Sequence, residues 1–384
     1  ASLKTFAQNV FPSAIAGQLR EFNPTKNPTN GGSSDTETNE PIVTPIGCAS
    51  ASNPVTITTP VGRQPSTCLN RAISKFAVMS LMLLNYGLAM ASPISSSTVT
   101  ANSIDFTYLE CGTGPLALCM HGFPDSAHTW RHLLPALADA GFHAVAPFMR
   151  GYAPTSVAPN GAYQTAALSA DANALHATLG GSPDAVIIGH DWGAQAVYGA
   201  AIVAPDNWKR VVGMAVPPWG AIGAAFMGNL AQLQRSWYMF FFQHALSDFL
   251  VSANNFAFID MLWAQWSPGF DAATDLAHVK ACLTDPANLQ AALGYYRATL
   301  GAGYRDPALN EAQTLAQSET PTQPVLYLHG RNDGCIGTEV ATHAASVAPA
   351  NASVEIVENA GHFMQLEQPA VVNKLIIDWI TKNA

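Results

Sequence analysis

Charge is scarce in this chain. Only 11% of its 384 residues are charged, against 48% hydrophobic, where ordinary soluble domains carry roughly 25% charged residues. The 17 Lys and Arg residues form no cluster and the net charge is −9, so nothing here is built to neutralise phosphates and nucleic acid is not an expected partner. None of the cysteines (Cys48, Cys68, Cys111, Cys119, Cys282, Cys335) stands in a CxxC pair, and no His lies at zinc spacing from them. That argues against a zinc site and for buried thiols. No apolar run reaches the about 20 residues of a comfortable membrane span, so no stable span is expected.

What is present divides the chain. Residues 1–92 form a low-complexity extension, and residues 23–45 are rich in Asn, Thr, Pro, Gly and Ser without periodicity. Within it, residues 71–91 carry a basic flank, a short apolar stretch and the ending Ala89-Met90-Ala91, which resembles a signal peptide. Its position deep in the chain is unusual for one, so two compartments stay open: the cytoplasm, or export if that segment is a true signal. From Ser97 onward the text becomes regular. Short apolar strands at 116–120, 142–147, 185–189 and 210–216 alternate with helical stretches at 126–140, 162–179 and 194–204. Such alternation predicts a parallel sheet covered on both faces, an α/β class. It breaks at Pro217-Pro218 and resumes with strands at 324–328 and 354–357 and helices at 340–347 and 369–381. We therefore expect a core of 93–217 and 320–384, with 218–319 inserted as a helical lid over the carboxyl edge, where open α/β sheets bind ligands.

Four motifs fall on that edge. Gly189-His190-Asp191-Trp192-Gly193 lies between a predicted strand and a predicted helix. Small residues at both ends permit the sharp turn of a nucleophile elbow, with Asp where Ser is usual; a plain helix-capping Asp would read similarly. His121-Gly122-Phe123-Pro124 follows the strand at 116–120. With an elbow downstream, it predicts an oxyanion hole from the backbone N–H groups of Phe123 and Trp192. Asp333 in Gly330-Arg331-Asn332-Asp333-Gly334 and His362 in Ala360-Gly361-His362-Phe363 each follow a strand, in the order an elbow triad requires. Each alone is unremarkable; together with Asp191 they predict a catalytic triad. His121 and His190 are expected to be structural neighbours of the turn.

An Asp at the elbow narrows the chemistry. A carboxylate attacking an ester would form an anhydride. Attack at a saturated carbon instead gives an alkyl ester of the enzyme. His362, oriented by Asp333, then activates water against the ester carbonyl. The substrate therefore carries an sp3 carbon with a leaving group, an epoxide or a carbon–halogen bond.

These motifs, with Arg150-Gly151-Tyr152, make residues 97–384 resemble the epoxide hydrolases of the α/β-hydrolase superfamily, the branch with an Asp nucleophile. The resemblance implies two lid tyrosines that protonate the epoxide oxygen. They correspond to Tyr238, ahead of Phe242-Gln243, and Tyr296, ahead of Arg297; Tyr295 is a competitor for the second role. A phenol of pKa about 10 stays protonated at neutral pH and can donate as the ring opens. Two departures, Phe148 where the family often has Asp and Ala153 where Gly is common, put only local loop shape in doubt. The resemblance also implies no cofactor and no metal, with a small apolar epoxide and water as partners. A homodimer stays open. The nearest rival is a haloalkane dehalogenase, which shares Asp191, Trp192, Asp333 and His362 but has other residues in place of Phe123-Pro124. A non-catalytic ligand-binding member of the same fold is a rival of another class.

Overall fold

The computed structural model describes residues 93–382. The expectations for residues 1–92, including the segment at 71–91, lie outside the described residues. A β-hairpin opens the fold, β1 (Ser95–Ala101) and β2 (Ile104–Cys111). Its tight turn places Asn102 and Ser103 at φ 47° and 61°, the left-handed pair a two-residue hairpin loop needs. β3 (Leu116–Met120), β4 (His143–Pro147), β5 (Val186–His190), β6 (Arg210–Met214), β7 (Val325–Gly330) and β8 (Ala352–Val357) complete the sheet.

The eight strands run in the order β1-β2-β4-β3-β5-β6-β7-β8. Pairings from β4 onward are parallel, and only the β1–β2 and β2–β4 pairs are antiparallel. Every residue of β3, β5, β6 and β7 is buried. That is the mark of a sheet covered on both faces, and it explains why these strands read as apolar runs rather than alternations. β8, at the edge, is only partly covered.

One helical expectation is resolved differently. Residues 126–140 form a 3-10 turn, Ala127–Trp130, and a separate helix, Leu133–Asp139. Pro135 explains the break: without an N–H it fits only the first turn of a helix, so the helix must begin just ahead of it. Between β6 and β7 the chain forms no strand and runs through helices from Trp219–Gly228 to Asn310–Ser318. The longest of these, Leu246–Trp266, is interrupted where Asn254, Asn255 and Phe256 take φ of 52°, 56° and 60°. Among the described residues no helix is long and apolar enough to cross a membrane.

This helical block is tied to the core beside the loops that follow β3, β7 and β8. The Trp263 indole N–H donates to the Pro124 carbonyl at 2.8 Å, and its ring stacks on Phe363 at 3.5 Å. The Trp266 carbonyl accepts the N–H groups of Gly334 at 3.1 Å and His362 at 3.0 Å. Arg131 and Asp275 form an ion pair across the same boundary.

Candidate active site

β5 ends in a strained residue. Asp191 has φ 55° and ψ −119°, a backbone region costly for a side-chain-bearing residue, of order 1–3 kcal/mol. The helix Trp192–Val203 starts immediately after it. Its first N–H groups, that of Trp192 included, precede the intrahelical ladder. The loop after β3 closes onto the elbow. A Cβ at Gly122 would overlap the Cβ and Oδ1 of Asp191, so only glycine allows the approach. As a result the Phe123 N–H donates to Asp191 Oδ1 at 2.8 Å.

The other oxygen of Asp191 faces the histidine. Oδ2 lies 3.6 Å from His362 Nε2. His362 Nδ1 lies 2.9 Å from Asp333 Oδ2, while Asp333 Oδ1 accepts the N–H groups of Cys335 at 2.7 Å and Ile336 at 2.9 Å. With Oδ1 taken twice, Oδ2 is left for the imidazole, which fixes the ring through Nδ1. Burial alone would push His362 down. Asp333 foremost, and then Asp191, outweigh it and hold the imidazole up at about 10. Burial would raise Asp333, yet the charge and hydrogen bond of His362 bring it below the ordinary carboxylate range. The structure therefore brings Asp191, His362 and Asp333 together from the ends of β5, β8 and β7.

A cavity opens above Asp191. Trp192, Tyr238, Tyr296 and Cys335 line it with apolar residues such as Trp219, Ile222, Phe226 and Leu300. The Tyr238 and Tyr296 rings pack edge to face with centroids 5.7 Å apart. Tyr296 packs likewise on Trp192 at 5.0 Å and on Phe123 at 5.2 Å. Burial raises both phenols well above the ordinary tyrosine value, and the Asp191 charge adds to it, so both are protonated donors. The Tyr296 hydroxyl has no hydrogen-bond partner among the described residues; that of Tyr238 lies 3.4 Å from Cys335 Sγ. Tyr295 is placed otherwise. Its hydroxyl donates to the Arg150 carbonyl at 2.8 Å, away from the cavity lining.

The other two histidines are buried beside the turn. His121 accepts the Met149 N–H at Nε2, 3.0 Å away, so its proton sits on Nδ1, which donates to the Gly122 carbonyl at 2.9 Å. Burial drops its pKa to about 4. His190 donates from Nε2 to the His362 carbonyl at 2.9 Å, and burial, with the charge of His362, lowers it to about 3. Both are neutral supports. Two members of the site escaped sequence reading. Asp125 is buried, with Oδ2 3.8 Å from His190 Nδ1, and burial raises its pKa well above the usual range. Cys335 reads in sequence as one more buried thiol; its place two residues after Asp333 is the signal that it shares the triad loop.

Residues 115–369 match the family model described as alpha/beta hydrolase fold, about two thirds of the chain. The chain belongs to the α/β-hydrolase fold family. Among its relatives is epoxide hydrolase B of Mycobacterium tuberculosis, 28% identical over 327 residues, covering 70% of this chain and 91% of that protein. An epoxide hydrolase of Caballeronia sordidicola is 40% identical, but over 127 residues, 31% of this chain and 36% of that protein. The crystal structure of epoxide hydrolase A from Mycobacterium thermoresistibile superposes with a TM-score of 0.62 at 27% identity, covering 75% of this chain and 98% of that one. Helices between β6 and β7 contribute Tyr238 and Tyr296 to the cavity that holds Asp191.

Proposed function

We propose that this α/β-hydrolase is an epoxide hydrolase, converting an apolar epoxide and water to a vicinal diol without a cofactor. One observation carries the reading. In a single apolar cavity, a carboxylate at the elbow faces two protonated phenols, Tyr238 and Tyr296. An epoxide is the leaving group that needs both, because its oxygen stays on the product and must gain a proton. The names of the relatives point the same way and do not favour the haloalkane dehalogenase alternative.

Asp191 attacks one epoxide carbon through the oxygen facing the cavity. The carbon–oxygen bond breaks, and the departing alkoxide takes a proton from Tyr296 or Tyr238. The strained elbow and the Phe123 N–H hold the carboxylate for in-line approach. The alkyl ester has no charge at Asp191, so one of the two carboxylates that hold His362 protonated is lost. His362 passes its Nε2 proton to the phenolate, and the neutral imidazole, kept in orientation by Asp333, becomes the base. It takes a proton from water, hydroxide adds to the ester carbonyl, and the N–H groups of Phe123 and Trp192 stabilise the oxyanion. Collapse releases the diol, whose new hydroxyl takes the proton of the added hydroxide, and restores the Asp191 carboxylate beside the protonated His362.

In this reading residues 218–319 act as the lid, the epoxide and water are the only partners the reaction needs, and the compartment is the cytoplasm. The test is one turnover in heavy-oxygen water. We expect label in the Asp191 carboxylate and none in the first diol. Label appearing directly in that diol would mean that water attacks carbon and Asp191 is only a base.

A further inference from the structure

The fold assembles a set of ligand types that the linear sequence separates. A carboxylate oxygen of Asp191, Cys335 Sγ and a ring nitrogen of His362, all buried, lie within 4.8 Å of one another. His362 Nε2 is fully buried and has no hydrogen-bond partner among the described residues. It points at Asp191 Oδ2, 3.6 Å away. In a tetrahedral zinc site, bond lengths of about 2.0–2.3 Å set ligand atoms roughly 3.3–3.8 Å apart. The carboxylate and imidazole thus already stand at chelating separation, and Cys335 Sγ lies within 4.8 Å of both.

From this we propose that Asp191, Cys335 and His362 bind one soft divalent cation of the Zn2+ or Cd2+ class, and that the bound ion inhibits the enzyme. The thiolate selects soft or borderline ions. Mg2+ and Ca2+ want six or more oxygen ligands, and these three residues offer one carboxylate. Carboxylate and thiolate balance the divalent charge. Asp333 on Nδ1 of His362 supplies the outer partner that zinc-bound histidines commonly have. The fourth position opens on the cavity and takes water. On binding, the Cys335 thiol and the Nε2 of His362 each release a proton to solvent, with no change in oxidation state. The ion then occupies the lone pairs that attack carbon and accept the proton of water. Binding stands on geometry alone; the inhibition rests on the roles given to Asp191 and His362 under the proposed function.

The test titrates the full-length, chelator-washed protein with CdCl2. Sulfur-to-cadmium charge-transfer absorption and equilibrium dialysis read binding, and epoxide turnover is followed in parallel. We expect one tight site per chain, inhibition that tracks its occupancy, and reversal by EDTA. Cys335→Ser keeps the other five cysteines. It should lose the absorption of the tight site and weaken binding by at least tenfold, since losing even an outer partner costs about 10–100-fold. His362→Gln keeps the thiol and should weaken binding similarly, which covers the case of a poorly folded serine variant. Equal affinity and absorption in parent and both variants would overturn the site. Tight binding through Cys335 with undiminished turnover would leave the site standing and remove Asp191 and His362 from the reaction instead.

Discussion

Replacing Asp333 by Asn should separate the two halves of the reaction. The magnitude follows from the hydrogen bonds of this one carboxylate. Its Oδ1 accepts two N–H donors, from Cys335 at 2.7 Å and Ile336 at 2.9 Å. An amide NH2 cannot sit there against two donors, so in the variant the amide oxygen takes that place. The NH2 group is then forced toward His362 Nδ1, 2.9 Å from the present Oδ2. A donor at that position makes Nδ1 an acceptor and moves the imidazole proton to Nε2, the atom that must accept a proton from water. The shape of the side chain is unchanged, so the fold is kept while the tautomer is wrong. In serine proteases, the same exchange in the triad acid costs about 10^4 in rate. At about 1.36 kcal/mol per tenfold, a loss of 10^3–10^4 in ester hydrolysis is roughly 4–5.5 kcal/mol of barrier. Attack by Asp191 on carbon needs no base, so alkylation should stay within about tenfold of the parent, below the about 10^2–10^4 of an acid–base contribution. Rapid mixing with an epoxide, followed by mass spectrometry of the quenched protein, should show Asp191 carrying the full mass of the substrate. Hydrolysis of the ester within tenfold of the parent rate would refute the chain of reasoning from hydrogen bonds to tautomer to base.

Three other outcomes are expected. Tyr296→Phe and Tyr238→Phe should each slow alkylation by about tenfold to a thousandfold, since the other phenol can still donate and losing a sole general acid or oxyanion donor costs about 10^2–10^4, and the double variant should nearly abolish it with Asp191 in place. Stopped-flow measurement of the alkylation step checks this, and a double variant as fast as the parent would remove the tyrosines from the chemistry. Gly122→Ala puts a Cβ into the side chain of Asp191; overpacking costs about 1–3 kcal/mol, and loss of the Phe123 contact should cut kcat/KM by about 100-fold or more, read by steady-state kinetics beside thermal melting. Deleting residues 1–92 should leave kcat/KM on one epoxide within tenfold; a larger loss with folding intact would give the extension a part in shaping the site.

The strand-end motifs were legible because they depend on local chemistry. A strand feeding Gly189-His190-Asp191-Trp192-Gly193 forces a sharp turn wherever the strand lies. Asp333 and His362 each follow a strand of a parallel sheet, and every such strand ends on the same edge. Strand alternation and the order of the three residues therefore carried the fold and the triad together. The resemblance put Tyr296 ahead of Tyr295, but adjacent residues on a helix differ only in the direction each faces, which no local pattern fixes. Packing decided it: one hydroxyl is spent on the Arg150 carbonyl and the other opens on the cavity. Nor could the sequence raise Cys335 above its fellow thiols or bring Asp125 behind His190. Those neighbours are set by how the loops after β3 and β7 fold back, a long-range closure that no local spacing encodes. Sequence thus determined which groups stand at the ends of strands. Tertiary structure alone decided which of them face one another across a few ångströms, since that depends on the packing of segments up to 241 residues apart, such as His132 and Asn373.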